Sequence, residues 1–222
     1  MHASIATIPG RADILYNTVQ SLLPQVDAIH IAFNYGTEPL PDWVHNMRKV
    51  TYSLHDNSQG DAVKFLQAGS GWVAICDDDI IYPRDYIRYM VSRARRHKSV
   101  VTVAGSLIPG KIQSYYNDRK KVSTPFTQKK TKPDMRVHIG ATGGMVYNSG
   151  LISFPLSIFE RPNMSDIYAS AWCQQQGVKI ICVAKPKGWL KEQQREGRWS
   201  IYSTRAEHDT LQAAECNKVE WI

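Results

Sequence analysis

The chain has 222 residues, 43% of them hydrophobic and 21% charged, and carries a formal net charge of +7. This is the size and composition of one globular domain, residues 1–222, with a sizeable core. No apolar run approaches the roughly 18 residues a bilayer span requires, and "MHASIATIPG" turns polar at once. Neither a membrane span nor a secretory leader is therefore expected. Cys76, Cys173, Cys182 and Cys216 show no CxxC spacing, which predicts a reduced, cytoplasmic protein without a zinc site or disulfide framework.

In chain order, "ASIATI" (3–8) reads as a first strand closed by Pro9-Gly10. Asp13 then stands as a plausible N-cap, and Leu15, Thr18, Val19 and Leu22 share one helical face before Pro24 ends the pattern. Strands follow at 28–33 and 50–54, a short helix at 61–68 and a fourth strand, "WVAIC", at 72–76. After Pro83 a helix points Ile87, Met90, Val91 and Ala94 inward and Arg88, Arg93, Arg95 and Arg96 outward. "VVTVA" (100–104) completes the alternation. Alternating β and α units predict an α/β fold: a mostly parallel, Rossmann-like sheet with helices on both faces, and ligands beyond the carboxyl ends of its strands.

Charge is concentrated in residues 111–136, where eight Lys/Arg against two Asp account for +6 of the net +7. Poor in aliphatic residues, this stretch reads as a long, basic, flexible surface loop, either merely solvated or a platform for an anion. A second basic stretch with interleaved aromatics, 185–205, contains Trp189, Trp199 and Tyr202 and reads as a segment that closes over a ligand or as a surface loop.

The chemistry centres on Asp77-Asp78-Asp79, directly after the fourth strand. Three adjacent carboxylates repel unless something positive sits among them. In an extended segment Asp77 and Asp79 project to one side and Asp78 away, and two hard carboxylates on one side suit Mn²⁺ or Mg²⁺ completed by water and substrate phosphates. The other reading is an acidic turn before the next helix, with Asp85 at its N-terminal dipole. Further along, "GATGGMVYN" places Gly143 and Gly144 before a strand, which allows close approach of a ligand or makes a tight turn. "NMSDIYASAWCQQQG" sets Asp166 at a helix start, with Ile167, Ala171 and Trp172 as its apolar positions.

Taken in order, "TIPGR", "TVQSLLPQ", "FNYG", "QGDAVKF" and the apolar strand with "DDD" and "IIYP" resemble the nucleotide-sugar glycosyltransferases of the GT-A fold, family 2 and its small bacterial and phage relatives above all. The resemblance covers about residues 3–105 and resumes at 138–148 and 163–190. It implies a metal-dependent transfer from a nucleoside-diphosphate sugar, with a UDP-sugar as the expected donor, between a donor-binding half (1–105) and an acceptor-binding half (106–222).

By that resemblance Thr7, Ile8, Pro9 and Arg11 embrace the nucleotide, and Arg11 reaches a phosphate. Asn34 and Tyr35 replace the family's aspartate pair after the second strand, so Tyr35 is a candidate to stack on the base and Asp56 to hydrogen-bond it. Gly60, Asp61 and Lys64 line the ribose and diphosphate region. Asp77 and Asp78 lie at the donor, Asp77 and Asp79 at the metal, and Gly143 and Gly144 beside the donor sugar. Asp166 matches the catalytic base of inverting relatives, or else caps its helix; Glu160 and Asp118 are its substitutes. His208 is the candidate third metal ligand, with His138 and Asp209 as rivals.

The acceptor is either a saccharide at the cytoplasmic membrane face, where a basic flap favours anionic lipid, or a hydroxymethylated base in phage DNA held through its phosphates. A base would have to be flipped out, and no aromatic cluster in the sequence demands that. A noncatalytic nucleic-acid or phospholigand-binding domain and a nucleotidyltransferase remain as alternatives.

Overall fold

The computed structural model describes residues 1–36, 40–66, 69–124, 133–193 and 205–222. The first half of the chain supplies strands β1 (His2–Thr7), β2 (Ala28–Asn34), β3 (Val50–His55), β4 (Trp72–Asp77), β5 (Ile80–Ile81), β6 (Val100–Thr102) and β7 (Gly105–Leu107). The second half supplies β8 (Lys120–Ser123), β9 (Met135–Val137), β10 (Ile139–Gly140), β11 (Gly144–Asn148), β12 (Ile180–Cys182) and β13 (Lys191–Glu192). Helices are α1 (Ala12–Leu22), α2 (Asp42–Asn46), α3 (Tyr86–His97), α4 (Tyr115–Asp118), α5 (Ser165–Gln175) and α6 (Arg205–Cys216).

Eight strands form one sheet in the order β3-β2-β1-β4-β11-β6-β12-β9. β1, β2, β3 and β4 run parallel to one another, and β6 runs parallel to β12. β11 is antiparallel between β4 and β6, and β9 is an antiparallel edge. The chain leaves β1 toward β2 and β3, then returns to the other side of β1 as β4. That reversal opens a crevice between the carboxyl ends of β1 and β4, where parallel α/β sheets bind ligands.

Alternation along the strands feeds two cores. Ala74, Cys76, Val101 and Val146 pack with Leu15, Val19 and Leu22 of α1 and with Tyr86, Ile87, Met90 and Ala94 of α3. Val73, Ile75, Val100, Met145 and Tyr147 face the other way, onto Phe65 and onto Tyr168, Ala169 and Cys173 of α5. Helices thus cover both faces, and each fully buried aliphatic or aromatic side chain contributes about 1.5–3 kcal/mol. A smaller third cluster joins Ile108, Ile112, Tyr115, Ile139, Ile167, Ala213 and Cys216. All four cysteines are buried, unpaired packing residues.

Several local expectations need correction. α1 is capped by Arg11 without a side-chain bond, and Asp13 lies in its first turn, where a carboxylate suits the helix dipole. Gly60–Phe65 is a 3₁₀ turn rather than an α-helix reaching 68; residues 67–68 lie outside the described ones. Val91 and Trp172 are only half-buried, yet each packs against a core, Val91 on the first and Trp172 on the second. The basic segment is not a loop throughout: α4 and β8 are ordered because Ile112 and Tyr115 are buried in the third cluster and β8 pairs with β7. Residues 125–132 of that segment, and Trp199 and Tyr202 of the later one, lie outside the described residues.

Candidate active site

A cleft of ≈ 950 Å³ opens at the carboxyl ends of the parallel strands. Its floor is made by Thr7 at the end of β1, Asn34 at the end of β2, Asp77 at the end of β4 and the Thr142-Gly143 turn before β11. Its walls come from the 3₁₀ turn, the start of α5 and the β7–β8 hairpin.

The positive charge that the aspartate triplet demands comes from the protein itself. Asp78 is buried; its two carboxylate oxygens accept hydrogen bonds from Thr7 Oγ1 and Arg11 Nη1, each at 2.6 Å. Arg11 Nη1 also stands 3.5 Å from Asp79, which is 4% exposed. Asp77, with its side chain 44% exposed, pairs with Lys64 Nζ at 3.2 Å. Burial pushes the Asp78 carboxyl up, and Arg11 and Thr7 pull against that shift. The expectation that Asp78 points away from the site is therefore wrong. Beyond Asp77 the backbone turns, so the period of two that places alternate side chains on one face no longer applies. The turn is held by Thr18 Oγ1 donating to Asp78 O (2.8 Å) and by the Gln193 amide donating to Asp79 O (3.0 Å).

Lys64 is 3% exposed and serves several carboxylates: Asp77, Asp61 at 3.4 Å and, through space, Asp166. Burial opposes its charge, but these carboxylates outweigh the desolvation and hold its pKa above the ordinary value. Asp61 accepts from Ser165 Oγ, Ser165 meets Thr142 Oγ1 at 3.1 Å, and Thr142 donates both its amide and its hydroxyl to Asp166 Oδ1 at 2.7 Å. Asp166 is thus oriented by Thr142 rather than spent as a cap, for α5 begins at Ser165 behind Met164. It lies deep in the cleft yet keeps part of its surface open. Burial raises its pKa, and Lys64 and the Thr142 bonds restrain the rise.

Gly143 has a steric reason to be glycine: a Cβ there would overlap the Asp77 carboxylate, while Tyr82 clamps the same point by donating its hydroxyl to Gly143 O (2.6 Å). Gly144 does not line the cleft; a Cβ there would strike Val103, so its role is packing.

Thr7, Ile8, Arg11, Asn34, Asp61, Lys64, Asp77, Asp78, Asp79, Gly143 and Asp166 meet at this cleft. Asn34 is buried, donates Nδ2 to Gly60 O (2.8 Å) and keeps Oδ1 without a hydrogen-bond partner. The remaining candidates lie elsewhere among the described residues. Pro9 is exposed, and Tyr35 is a 56%-exposed residue at φ 51° outside the lining. Asp56 turns back on Ser58, whose hydroxyl and then amide (2.9 Å) lower the carboxyl's pKa and make Asp56 a turn residue. Asp118 caps its own turn at Gln113 and Ser114, and Glu160 pairs with Lys218 at 3.7 Å, so neither substitutes for Asp166.

His208 lies on α6 outside the lining, and Asp209 accepts from the Tyr116 amide (2.8 Å). His138 accepts from the Ile108 amide (3.0 Å) and stacks on Trp221. The third metal ligand expected from these residues is not found: among the described residues no three His, Cys, Asp or Glu side chains cluster as ligands. Two of the triplet's carboxylates, Asp77 and Asp79, line the cleft and are of the hard oxygen type a divalent ion takes. Asp77 is half-open to the cleft beside Asp79, and Mn²⁺ or Mg²⁺ commonly takes one or two protein carboxylates and completes its shell with water and phosphate.

Sequence reasoning missed Thr142, Ser165, Tyr115, Tyr116, Arg119 and Lys121, all of which line the cleft. The last four lie in the basic segment read as a solvated loop or a platform for an anion, and the two tyrosines meet edge to face with ring centroids 5.2 Å apart.

No protein-family model and no curated protein matches the sequence. Among solved structures, Staphylococcus aureus TarS 1–349 in complex with UDP-GlcNAc aligns over 97% of this chain with a TM-score of 0.57 at 15% identity. TarS 1–349 in a second structure aligns over 84% with a TM-score of 0.53 at 13% identity. The chain spans 66% and 59% of the lengths of those two chains. Among the described residues, no helix is long and apolar enough to cross a membrane. The sheet order, the switch-point cleft and these neighbours together show that the chain has a GT-A-like fold.

Proposed function

We propose that this chain transfers a sugar from a nucleoside-diphosphate sugar to an acceptor hydroxyl. The convergence of Asp166, the Asp77–Asp79 turn, Arg11 and Lys64 in one switch-point cleft carries this reading. The likeness to TarS in complex with UDP-GlcNAc favours a UDP-sugar donor.

Arg11 and Lys64 bind the donor diphosphate, and Asn34 Oδ1 accepts a hydrogen bond from the nucleoside. The glycosidic carbon–oxygen bond breaks with its electron pair leaving on the diphosphate. The acceptor oxygen bonds to the sugar carbon from the opposite face, and its proton passes to Asp166, so the anomeric configuration inverts. A carboxylate whose pKa is raised is a better proton acceptor than one at its ordinary value. Thr142 fixes Oδ1 and thereby aims the carboxylate. Asp77 and Asp79 would hold a Mn²⁺ or Mg²⁺ ion, which supplies charge stabilisation for the leaving diphosphate. A cytoplasmic location and an anionic acceptor, a membrane-face glycan or phage DNA, complete the proposal.

The experiment is donor hydrolysis. The protein is incubated with UDP-, GDP- and dTDP-sugars and Mn²⁺, with and without EDTA, and nucleoside diphosphate release is followed while calorimetry reads donor binding. Metal-dependent release from one donor, lost in Asp79→Ala, supports the reading. Absence of both release and metal-dependent nucleotide binding refutes it.

A further inference from the structure

The cleft wall formed by residues 115–124 has no part in the transfer chemistry above. Arg119 is extended (φ −68°, ψ 136°) and leads into β8, so alternate residues Arg119, Lys121 and Ser123 line the cleft. Lys120 and Lys121 are both exposed, Lys121 within the cleft lining, and Val122 packs against the core. The strand is built in, not draped. It pairs with β7, and buried Lys185 donates from Nζ to both Val103 O and Ser123 Oγ at 2.6 Å.

Two cations therefore enter the cleft from a fixed strand. The Arg119 guanidinium lies 4.2 Å from the Tyr115 ring centroid and 5.1 Å from that of Tyr116. Among the described residues, its Nε is buried without a hydrogen-bond partner. Among the described residues neither Arg119 nor Lys121 is paired with a carboxylate, unlike Arg11 and Lys64. This wall stands at the Asp166 end: the charge of Asp166 acts on both tyrosines, and its neighbour Ile167 packs with Tyr115 in the third cluster.

Resting on the transferase reading, we propose that the acceptor carries a phosphate ester, held by Arg119 and Lys121 while its hydroxyl lies against Asp166. A planar fork and a point ammonium together match a tetrahedral dianion, and both side chains are common phosphate binders. The tyrosine faces hold the guanidinium, so they offer no open platform for a flipped base. That favours a phosphorylated polyhydroxy compound over nucleic acid. The acceptor would come from a reaction that phosphorylates a hydroxyl compound.

The test uses the whole chain saturated with UDP and Mn²⁺, so that the donor phosphate site is filled. Glycerol 3-phosphate, glycerol and a single-stranded oligodeoxynucleotide are titrated by calorimetry. The expected result is binding of glycerol 3-phosphate and not glycerol, weakened at least tenfold in Arg119→Gln with Lys121→Gln and partly retained in Arg119→Lys, with UDP affinity unchanged. Three results overturn the proposal: no preference for the phosphate, binding indifferent to both substitutions, or a loss of UDP affinity that assigns Arg119 to the donor. Preferred binding of the oligonucleotide also overturns it. If UDP itself fails to bind the wild-type protein, the transferase reading falls; titrating the nucleotide-free chain and its variants then still decides whether Arg119 and Lys121 form an anion site.

Discussion

Replacing Lys64 by Met removes the ammonium that serves Asp77 at 3.2 Å and Asp61 at 3.4 Å. At an effective dielectric of about 20 each contact is worth roughly 5 kcal/mol of attraction, much of it offset by the cost of burying the ammonium. Removing one partner of a buried pair typically costs about 3–5 kcal/mol, and the 44% exposure of Asp77 lets water take over part of the lost interaction, so about 3 kcal/mol is expected. For a chain of this size that is a melting-point drop of roughly 6–12 °C.

The sign with pH follows from the shifts. The folded-state pKa of Lys64 is raised, so its contribution is fully present below the unfolded-state value and is lost only at strongly alkaline pH. The deficit of Lys64→Met is therefore flat across neutral pH, and it shrinks at acid pH as Asp166, already raised, takes up its proton. Thermal melts of wild type and Lys64→Met from pH 4 to 9 check this, with Asp61→Asn in the Met background restoring part of the loss. A melting point within about 1 °C of wild type at pH 7 would refute the idea that one ammonium holds the carboxylates together. The same substitution moves the acidic limb of the transfer rate to higher pH, because Asp166 loses its stabilising charge.

Asp166→Asn should lower transfer by about 10²–10⁴-fold, with donor affinity within twofold by calorimetry; unchanged turnover would remove Asp166 as the base. The wild-type rate should rise with pH through the raised Asp166 pKa, since the base acts ionised, and a rate that falls over that range contradicts the assignment. Gly143→Ala should displace the Asp77 carboxylate and abolish Mn²⁺-dependent donor binding while circular dichroism stays native; retained binding would show that Asp77 needs no such clearance. Burial pulls Lys185 down to about 8, so relative to Lys185→Met the wild type should gain stability as pH rises from about 8 to about 10, by up to about 3 kcal/mol; parallel denaturant curves across that range would contradict it.

Local pattern and tertiary structure divided this protein along a physical line. Alternation and helical spacing marked β1, β2, β4, α1 and α3, because each buries one face or lies wholly inside a core, and burial leaves its period in the chain; β3 was marked too, although it is an edge strand with no buried residue. The place of the Asp77–Asp79 turn at a strand end was legible for the same reason, as was the nearness of Asp166 to a helix start. The partners of these carboxylates were not. Lys64 is 13 residues from Asp77, Arg11 is 67 from Asp78, and Thr142 is 24 from Asp166. No local period records which distant side chains a fold brings within 3 Å.

The segment 111–124 shows the limit most clearly. Its composition reads as a surface loop, solvated or a platform for an anion, yet burial of Ile112 and Tyr115 and pairing of β8 with β7 turn it into a built cleft wall. The sequence by itself determined the alternating α/β build and the acidic turn at a strand's carboxyl end. Only the tertiary structure decided that Arg11 and Lys64 neutralise that turn, that Thr142 aims Asp166, and that Arg119 and Lys121 face it, because ion pairing and desolvation depend on distances through space rather than along the chain.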